Sequence, residues 1–386
     1  MQAFAVCAPG LEGVLAAELQ QLGLDEGRVL QMPGVDEETG GVSFAAEMQQ
    51  LYASNLHLRT ASRVLVHLGD FYAAAFSELR KKASRLAWEN FLQPGQAVAL
   101  RVTCHKSRLY HSDAVAERVA GAIGDRLGVA PSVVRWNDAQ MEALPQLIVV
   151  RLVNDHCFIR VDSSGALLHR RGYRQAVAKA PLRETLAAGM LLLSGWDGRS
   201  ALLDPFCGSG TIAIEAALLA CRMAPGRARR FAFMQWPNFD AAVWQRLRSE
   251  AEAARQACSA ELVAADRDAG AVAMAQANAE RAGVAEWIRF ECQAVSASSS
   301  AQTRGWVVTN PPYGVRVSNG KDLRNLYAQF GHVLRAGFVN WKVAVLCGDP
   351  ALLRATGLRF EKQWRLVNGG LNVIYALANV EGTHGN

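Results

Sequence analysis

The sequence predicts an α/β protein: a doubly wound, mostly parallel sheet in the C-terminal half, preceded by a smaller α+β region. Three observations carry this expectation. From Leu182 to Leu346 short apolar strands alternate with helical patterns, the arrangement that buries a parallel sheet between two layers of helices. A glycine-rich turn, Asp204 to Thr211, stands between a strand and a helix, where an open α/β sheet places its ligand. Upstream of Ser163 the pattern differs, with strands joined by turn signals instead of regular crossovers.

The elements follow in order. Phe4 to Ala8 reads as a short strand, and Leu11, Val14, Leu15, Leu19 and Leu22 form the apolar stripe of a helix before strands ending at Val42 to Phe44. A helix near Glu47 to His57 and a strand at Arg63 to Leu68 come next. The following helix carries Leu79, Leu86 and Phe91 on its dry side and Arg80, Lys81, Lys82 and Arg85 on its wet side, until Pro94-Gly95 stops it. Strand Ala97 to Thr103 leads into an exposed basic segment with His105, Lys106 and Arg108, then a helix at Asp113 to Leu127. Strands Gln146 to Val153 and His156 to Asp162 flank Asn154-Asp155, a hairpin signal. Ser163 to Lys179 is irregular and positively charged and reads as the connection between domains. Beyond it, helices Leu182 to Leu193, Thr211 to Cys221, Ala269 to Arg281 and Leu323 to Arg335 alternate with strands Ala201 to Leu203, Glu261 to Ala264, Trp287 to Glu291, Trp306 to Val308 and Lys342 to Leu346. Gln363 to Ala378 closes as a hairpin about Gly369-Gly370. The expected domains are 1–55, 56–164 and 165–386.

Composition narrows the class. With 386 residues, 51% apolar and 20% charged, the chain is neither disordered, collagen-like nor a coiled coil, and is long enough for two or three domains. No run approaches the roughly 20 apolar residues of a membrane-spanning helix, and the start lacks the basic region of a signal peptide. A cytoplasmic protein is expected. Eight scattered cysteines without a CxxC pair argue against a disulfide framework or structural zinc. The eight histidines show no metal-ligand spacing, so no metal is expected, and His67 on an apolar strand reads as a packing residue. The net charge of +6 divides as −7 over residues 1 to 55, +8 over 56 to 180 and +5 over 181 to 386. The middle stretch is where a polyanion would sit.

In Asp204-Pro205-Phe206-Cys207-Gly208-Ser209-Gly210-Thr211 the glycines allow close backbone approach, and the helix beyond offers unpaired N–H groups. A triphosphate P-loop is excluded because GxxxxGK[ST] is absent. A dinucleotide fits poorly, since Phe206 takes the place of a first glycine. Asp266 closes the second strand, suited to accept from ribose hydroxyls, so the two features together suggest an adenosyl ligand. Asp268 is an alternative ribose ligand or a helix cap. After a third apolar strand comes Asn310-Pro311-Pro312-Tyr313. The prolines stiffen the turn and preset the Asn310 side chain and the Pro311 carbonyl as acceptors. Two such acceptors pulling on an exocyclic amine direct its lone pair outward, while Tyr313 offers a flat face to an extruded base.

At these residues the chain resembles class I S-adenosylmethionine-dependent methyltransferases, specifically the THUMP-domain RNA guanine-N2 methyltransferases that act on bacterial large-subunit (23S) ribosomal RNA. Leu168-His169-Arg170-Arg171-Gly172-Tyr173-Arg174, then Ala180 to Ala188 (APLRETLAA), DPFCGSGTIAIEAAL, APGRARRFAF and NPPYG follow that family's order over residues 165 to 345. The resemblance implies a Rossmann-like methyltransferase domain behind a ferredoxin-like segment and a THUMP RNA-binding domain. It implies that Asp204, Cys207, Gly208, Gly210 and Thr211, with Phe206, line the methionine side of S-adenosylmethionine. Asp266, beside Arg267, would hold the ribose, and the segment with Leu182, Arg183 and Thr185 would close over the cofactor. Asn310, Pro311, Pro312 and Tyr313 would grip the base. The sequence departs from the pattern after the third strand, where the expected carboxylate near the adenine amine is Ala294 beside Gln293. Some relatives carry a second methyltransferase domain beyond this point, and with none in this chain one modification is expected.

Three functions compete: methylation of guanine N2 in RNA, methylation of adenine N6 in DNA, and an idle RNA-binding factor that retains the pocket. The intact Asn310 and Asp266 argue against the last. RNA contacts are expected from Arg80, Lys81, Lys82, Arg85, Lys106 and Arg108, with Arg171, Tyr173 and Arg174 bridging the domains. Cys207 lacks the neighbouring base or cation a nucleophile needs. Trp236 and Trp244 are either core or neighbours of the substrate channel.

Overall fold

The computed structural model describes residues 1–24, 40–136, 145–174, 182–313 and 323–381. The chain forms two compact units, one of Met1–Cys7, Leu15–Leu168 and Ala228–Glu250, the other of Ala8–Val14, His169–Arg227 and Ala251–Asn386. Residues 175–181, part of the stretch read from sequence as the connection between domains, fall outside the described residues.

The first unit is built on β1 (Gln2–Val6), α1 (Glu12–Gln21), β2 (Gly41–Ala45), α2 (Met48–His57), β3 (Arg63–Tyr72), α3 (Phe76–Ala83), β4 (Ala97–His105), α4 (Ser112–Leu127), β5 (Ser132–Val133), β6 (Gln146–Val153) and β7 (His156–Asp162). Its strands make one sheet in the order β2-β1-β3-β7-β6-β4-β5. The β6–β7 hairpin turns on Asn154 and Asp155, both at positive φ (52° and 64°), the twist that a two-residue hairpin requires. The helix expected to run on to Phe91 stops at Ala83. Its carbonyl there accepts from Leu86 N and from the indole N–H of buried Trp88, which takes the acceptor that another helical turn would use.

An unexpected part of this unit arrives from far along the chain. Residues 228–250, read from sequence as part of the methyltransferase domain, supply Phe233, which stacks on Tyr52 at 4.4 Å, and Trp236, whose indole donates to Gln146 Oε1 at 2.8 Å. Phe91 meets the Trp236 ring edge-on. Trp236 and Trp244 are both buried, so they are core residues of the N-terminal unit and do not line a substrate channel. Aromatic rings bring large apolar area, and their single N–H needs one partner; Tyr52 and Gln146 meet both demands.

The second unit contains α5 (Glu184–Ser194), β8 (Ala201–Asp204), α6 (Thr211–Ala220), α7 (Ala241–Ala253, most of which belongs to the first unit), β9 (Leu262–Asp266), α8 (Ala269–Ala282), β10 (Ile288–Cys292), β11 (Gly305–Thr309), α9 (Arg324–Gly337), β12 (Lys342–Cys347), α10 (Pro350–Ala355), β13 (Lys362–Asn368) and β14 (Leu371–Asn379). The sheet order is β10-β9-β8-β11-β12-β14-β13. The first five strands in that order are parallel, and β14 runs antiparallel to β12 and β13. The order reverses direction at β8, the switch point at which open α/β sheets form their binding crevice. α5 and α6 are buried along most of their length, as helices covering a sheet must be.

A buried ion pair ties the entry segment to α6. The Arg171 guanidinium bonds the Glu215 carboxylate, which also accepts from the Tyr173 hydroxyl at 2.9 Å. Removing one partner of such a pair leaves an uncompensated charge out of water. Glu215→Gln is expected to destabilise the protein by about 3 kcal/mol or more, read as a lowered midpoint in chemical denaturation, whereas an equal change at exposed Glu250 should shift it little.

Candidate active site

Three loops meet at the carboxyl ends of the adjacent strands β9, β8 and β11. Asp204 ends β8 and is 1% exposed. Its Oδ1 accepts from Thr309 Oγ1 at 2.6 Å and from Phe206 N at 3.2 Å. Thr309 is the last residue of β11 and is itself fully buried. One hydrogen bond therefore joins the glycine loop to the Asn-Pro-Pro-Tyr turn. Burial pushes the Asp204 carboxyl up to about 7, against the opposing pull of the Thr309 bond.

The glycine loop takes the shape its residues allow. Gly208 and Gly210 have φ of 50° and 82°, values that glycine alone adopts freely. A Cβ at Gly210 would meet the Ala275 Cβ on α8 at 2.8 Å, while one at Gly208 would point into open space. The loop thus packs on α8 on one side and leaves room for a ligand on the other. Asp266 braces it: Oδ2 accepts from Gly208 N and Oδ1 from Asp268 N, each at 3.0 Å. Asp268 caps α8 by accepting from Gly270 N at 2.8 Å. Arg267 is exposed beside Asp266. Burial raises the Cys207 thiol well above its ordinary range, the opposite of the shift that activates a nucleophilic cysteine. Phe206 packs edge-on against Phe330 of α9 at 5.5 Å. At the departure after β10, Gln293 Nε2 donates to Glu291 Oε2 at 2.6 Å, so that amide is engaged locally.

The α5 segment lies against the same loop. Arg174 Nη2 donates to the Leu182 carbonyl at 2.8 Å and to Thr211 Oγ1 at 2.6 Å, and its Nε lies 3.6 Å from Glu184 Oε1. Leu182 and Thr185 are buried, and Arg183 is exposed at the head of α5. This corrects the expectation for Arg171 and Tyr173. Both are buried with Glu215 and cannot touch RNA there. Arg174 also faces inward and positions Thr211.

Asn310, Pro311, Pro312 and Tyr313 follow β11. Asn310 Oδ1 is buried and has no hydrogen-bond partner among the described residues. The next residue of the motif, Gly314, lies outside them. The Pro312 carbonyl accepts from Tyr327 Oη at 3.3 Å. Tyr313 Oη accepts from Asn368 Nδ2 at 3.0 Å, and its ring crosses Gly348 so closely that a Cβ there would meet Tyr313 Cδ2 at 2.8 Å. Burial raises the Tyr313 phenol, so it remains neutral. Thr309, Gly348 and Asn368 were not identified from sequence. A threonine ending a buried strand signals a hydroxyl in need of a partner, but Asn368 is 55 residues from Tyr313 and no local pattern reveals it.

The expected RNA contacts of the first unit divide. Lys81, Arg85 and Lys106 are exposed. Arg80 is bidentate to Asp125 at 2.7 Å, and Lys82 bonds Glu78 at 2.6 Å, both in solvent-accessible pairs. Among the described residues no group of three or more His, Cys, Asp or Glu is arranged to hold a metal ion, and no helix is long and apolar enough to cross a membrane.

A family model of the RMKL-like methyltransferase domain matches residues 171–376. The chain belongs to that family. Models of the RlmL ferredoxin-like domain and the THUMP domain match residues 2–65 and 73–162, so the Rossmann-like methyltransferase fold with a ferredoxin-like and THUMP region ahead of it is the one the resemblance implied. "Putative RNA methyltransferase slr0064" of Synechocystis is 34% identical over 95% of this chain and 94% of its own length. "Ribosomal RNA large subunit methyltransferase K/L" of Syntrophotalea carbinolica is 36% identical over 95% of this chain and 52% of its own. The chain thus spans about half the length of the K/L relatives it matches. The crystal structure of SMU.472, a putative methyltransferase complexed with SAH, superposes with a TM-score of 0.87 at 29% identity, covering 100% of this chain and 99% of that one.

The Asp204 carboxyl gives a signed pH prediction. Its folded value is raised, so the folded state holds a proton that the unfolded state has released, and stability falls as pH climbs from 3.8 to about 7. Asp204→Asn is expected to flatten that fall in a series of thermal melts. A slope unchanged from the parent protein would contradict it.

Proposed function

We propose that this protein methylates the exocyclic N2 amine of a guanine in RNA, that the RNA is large-subunit ribosomal RNA, and that the reaction takes place in the cytoplasm. The single observation that carries this reading is the buried Asn310 Oδ1, without a hydrogen-bond partner among the described residues, held on a double-proline turn beside a glycine loop. Buried acceptors are seldom left without a donor, and a flat amine entering between the loops supplies one.

The site suits S-adenosylmethionine on its own geometry: open space over Gly208, a braced carboxylate at Asp266, and the buried Asp204 behind the loop. When bound, S-adenosylmethionine supplies an electrophilic methyl group on a positively charged sulfur. Gly208, Gly210 and Thr211 would hold its methionine portion, Asp266 would accept from the ribose, and Leu182, Arg183 and Thr185 would cover it. Asn310 Oδ1 and the Pro311 carbonyl accept hydrogen bonds from the two amine N–H groups and hold the nitrogen lone pair in line for displacement. Tyr313, anchored by Asn368, offers its ring to the base. The nitrogen would take the methyl carbon that the sulfonium supplies, with the thioether as leaving group, and the surplus amine proton would leave to solvent. Orientation supplies most of the rate gain, so no strong general base is needed. The exposed Lys81, Arg85, Lys106 and Arg108 contribute phosphate contacts.

Asn310→Ala is expected to lower the methylation rate about 10²- to 10³-fold, as loss of one preset polar contact does, with the cofactor Kd by calorimetry near that of the parent. Equal loss of both would remove Asn310 from the chemistry. Nucleoside mass spectrometry on ribosomal RNA, transfer RNA and DNA from a deletion strain identifies the acceptor. N2-methylguanosine in large-subunit RNA is the expected product, and N6-methyladenine in DNA would overturn the choice of base.

A further inference from the structure

At one end of the N-terminal sheet a single carboxylate gathers three strand ends. Asp155, in the β6–β7 turn, accepts from Arg108 N through Oδ1 at 2.6 Å and from the Tyr72 hydroxyl through Oδ2 at 3.3 Å. Its Oδ2 also lies 3.4 Å from Arg108 Nε. Its backbone N–H donates to Ser107 Oγ at 3.0 Å, and its carbonyl accepts from Ala73 N at 2.8 Å. Between these bonds the chain after β4 is held in a fixed course, with Lys106 at φ 45°, a conformation that side-chain-bearing residues seldom take without cause.

That course presents aromatic rings among cations. Tyr110 is 68% exposed and Tyr72 45%. The His111 ring lies against Tyr110 with centroids 4.1 Å apart, which backs one face and leaves the tyrosine largely in water. Lys82 Nζ bonds the Tyr72 carbonyl at 2.8 Å, the Arg108 side chain is 72% exposed, and Lys106 is exposed. A single exposed ring is ordinary. Two exposed tyrosines, Tyr72 bonded to Asp155 and Tyr110 two residues beyond the Arg108 that Asp155 also holds, interleaved with lysine and arginine in the stretch of chain that carries +8, have the composition of a single-strand nucleic-acid platform. There bases stack on rings and cations follow the phosphates.

We propose that Tyr72, held by Asp155, and Tyr110, backed by His111 and following the Arg108 that Asp155 holds, form a stacking site for unpaired RNA bases, remote in sequence from the methyl-transfer residues. The site deepens the RNA reading above and rests on it. The phosphate-binding lysines alone would not distinguish paired from unpaired RNA, whereas exposed rings favour unpaired bases.

The test measures binding of the full-length protein to oligouridine of about ten nucleotides, within the span of one single-strand site, and to a fully paired RNA hairpin. Tyr110→Ala is expected to weaken oligouridine binding about 5- to 100-fold, leave hairpin binding within twofold, and keep the salt dependence. Tyr110→Trp should restore affinity. Lys106→Ala should instead weaken both RNAs and lower the salt slope by about one. Oligouridine binding unchanged in both Tyr110→Ala and Tyr72→Ala, with the parent protein binding it, would overturn the stacking site and leave the RNA reading intact. A parent protein that binds neither RNA would overturn both.

Discussion

The bond between Thr309 and Asp204 is the constraint on which the methyltransferase unit depends. It joins the glycine loop and the Asn-Pro-Pro-Tyr turn, the two loops that the proposed reaction needs together, at the point where the sheet reverses its winding. A carboxyl group this deep in the protein is costly if charged, so the partner hydroxyl and the Phe206 N–H are needed to satisfy it. Sub-ångström placement of two reacting groups is worth several kcal/mol in a displacement reaction, and a short buried bond between their supports is a direct way to hold it.

Behind the glycine loop a second polar network serves the same end. Glu215, on the inner face of α6, takes both Arg171 and Tyr173. Arg281 of α8 donates to the Tyr173 carbonyl at 2.7 Å, and Arg174 reaches Thr211 at the start of α6. The segment that enters the unit is thereby fastened to the two helices that flank the loop. Charges that would have served well at an RNA surface are spent instead on register, a use of buried ion pairs in which specificity outweighs net stability.

The path of the chain adds a further constraint. After Arg227 it contributes residues to the N-terminal unit and returns at Ala251. The rings of Phe231, Phe233, Phe239 and Trp244 cluster with Tyr52, filling the core of a unit that begins far upstream. Each unit therefore lacks a continuous sequence of its own, and folding of the N-terminal one requires residues made much later.

The sequence by itself determined most of the strands and helices and the two loop motifs, because those depend on near neighbours. Apolar periodicity marks β8 and α6, Asn154-Asp155 and Gly369-Gly370 dictate hairpins through their positive φ, and glycines and prolines fix the two loops at the sheet edge. Tertiary structure alone decided what lies opposite. Arg171 and Tyr173 read as surface residues because their partner Glu215 is more than 40 positions away. Trp236 gave no sign of pairing with Gln146, and Asn368 none of holding Tyr313. Helix and strand propensities act over a few residues, whereas a buried polar atom is satisfied by whatever the fold brings within about 3 Å, and that choice is written only in the packing.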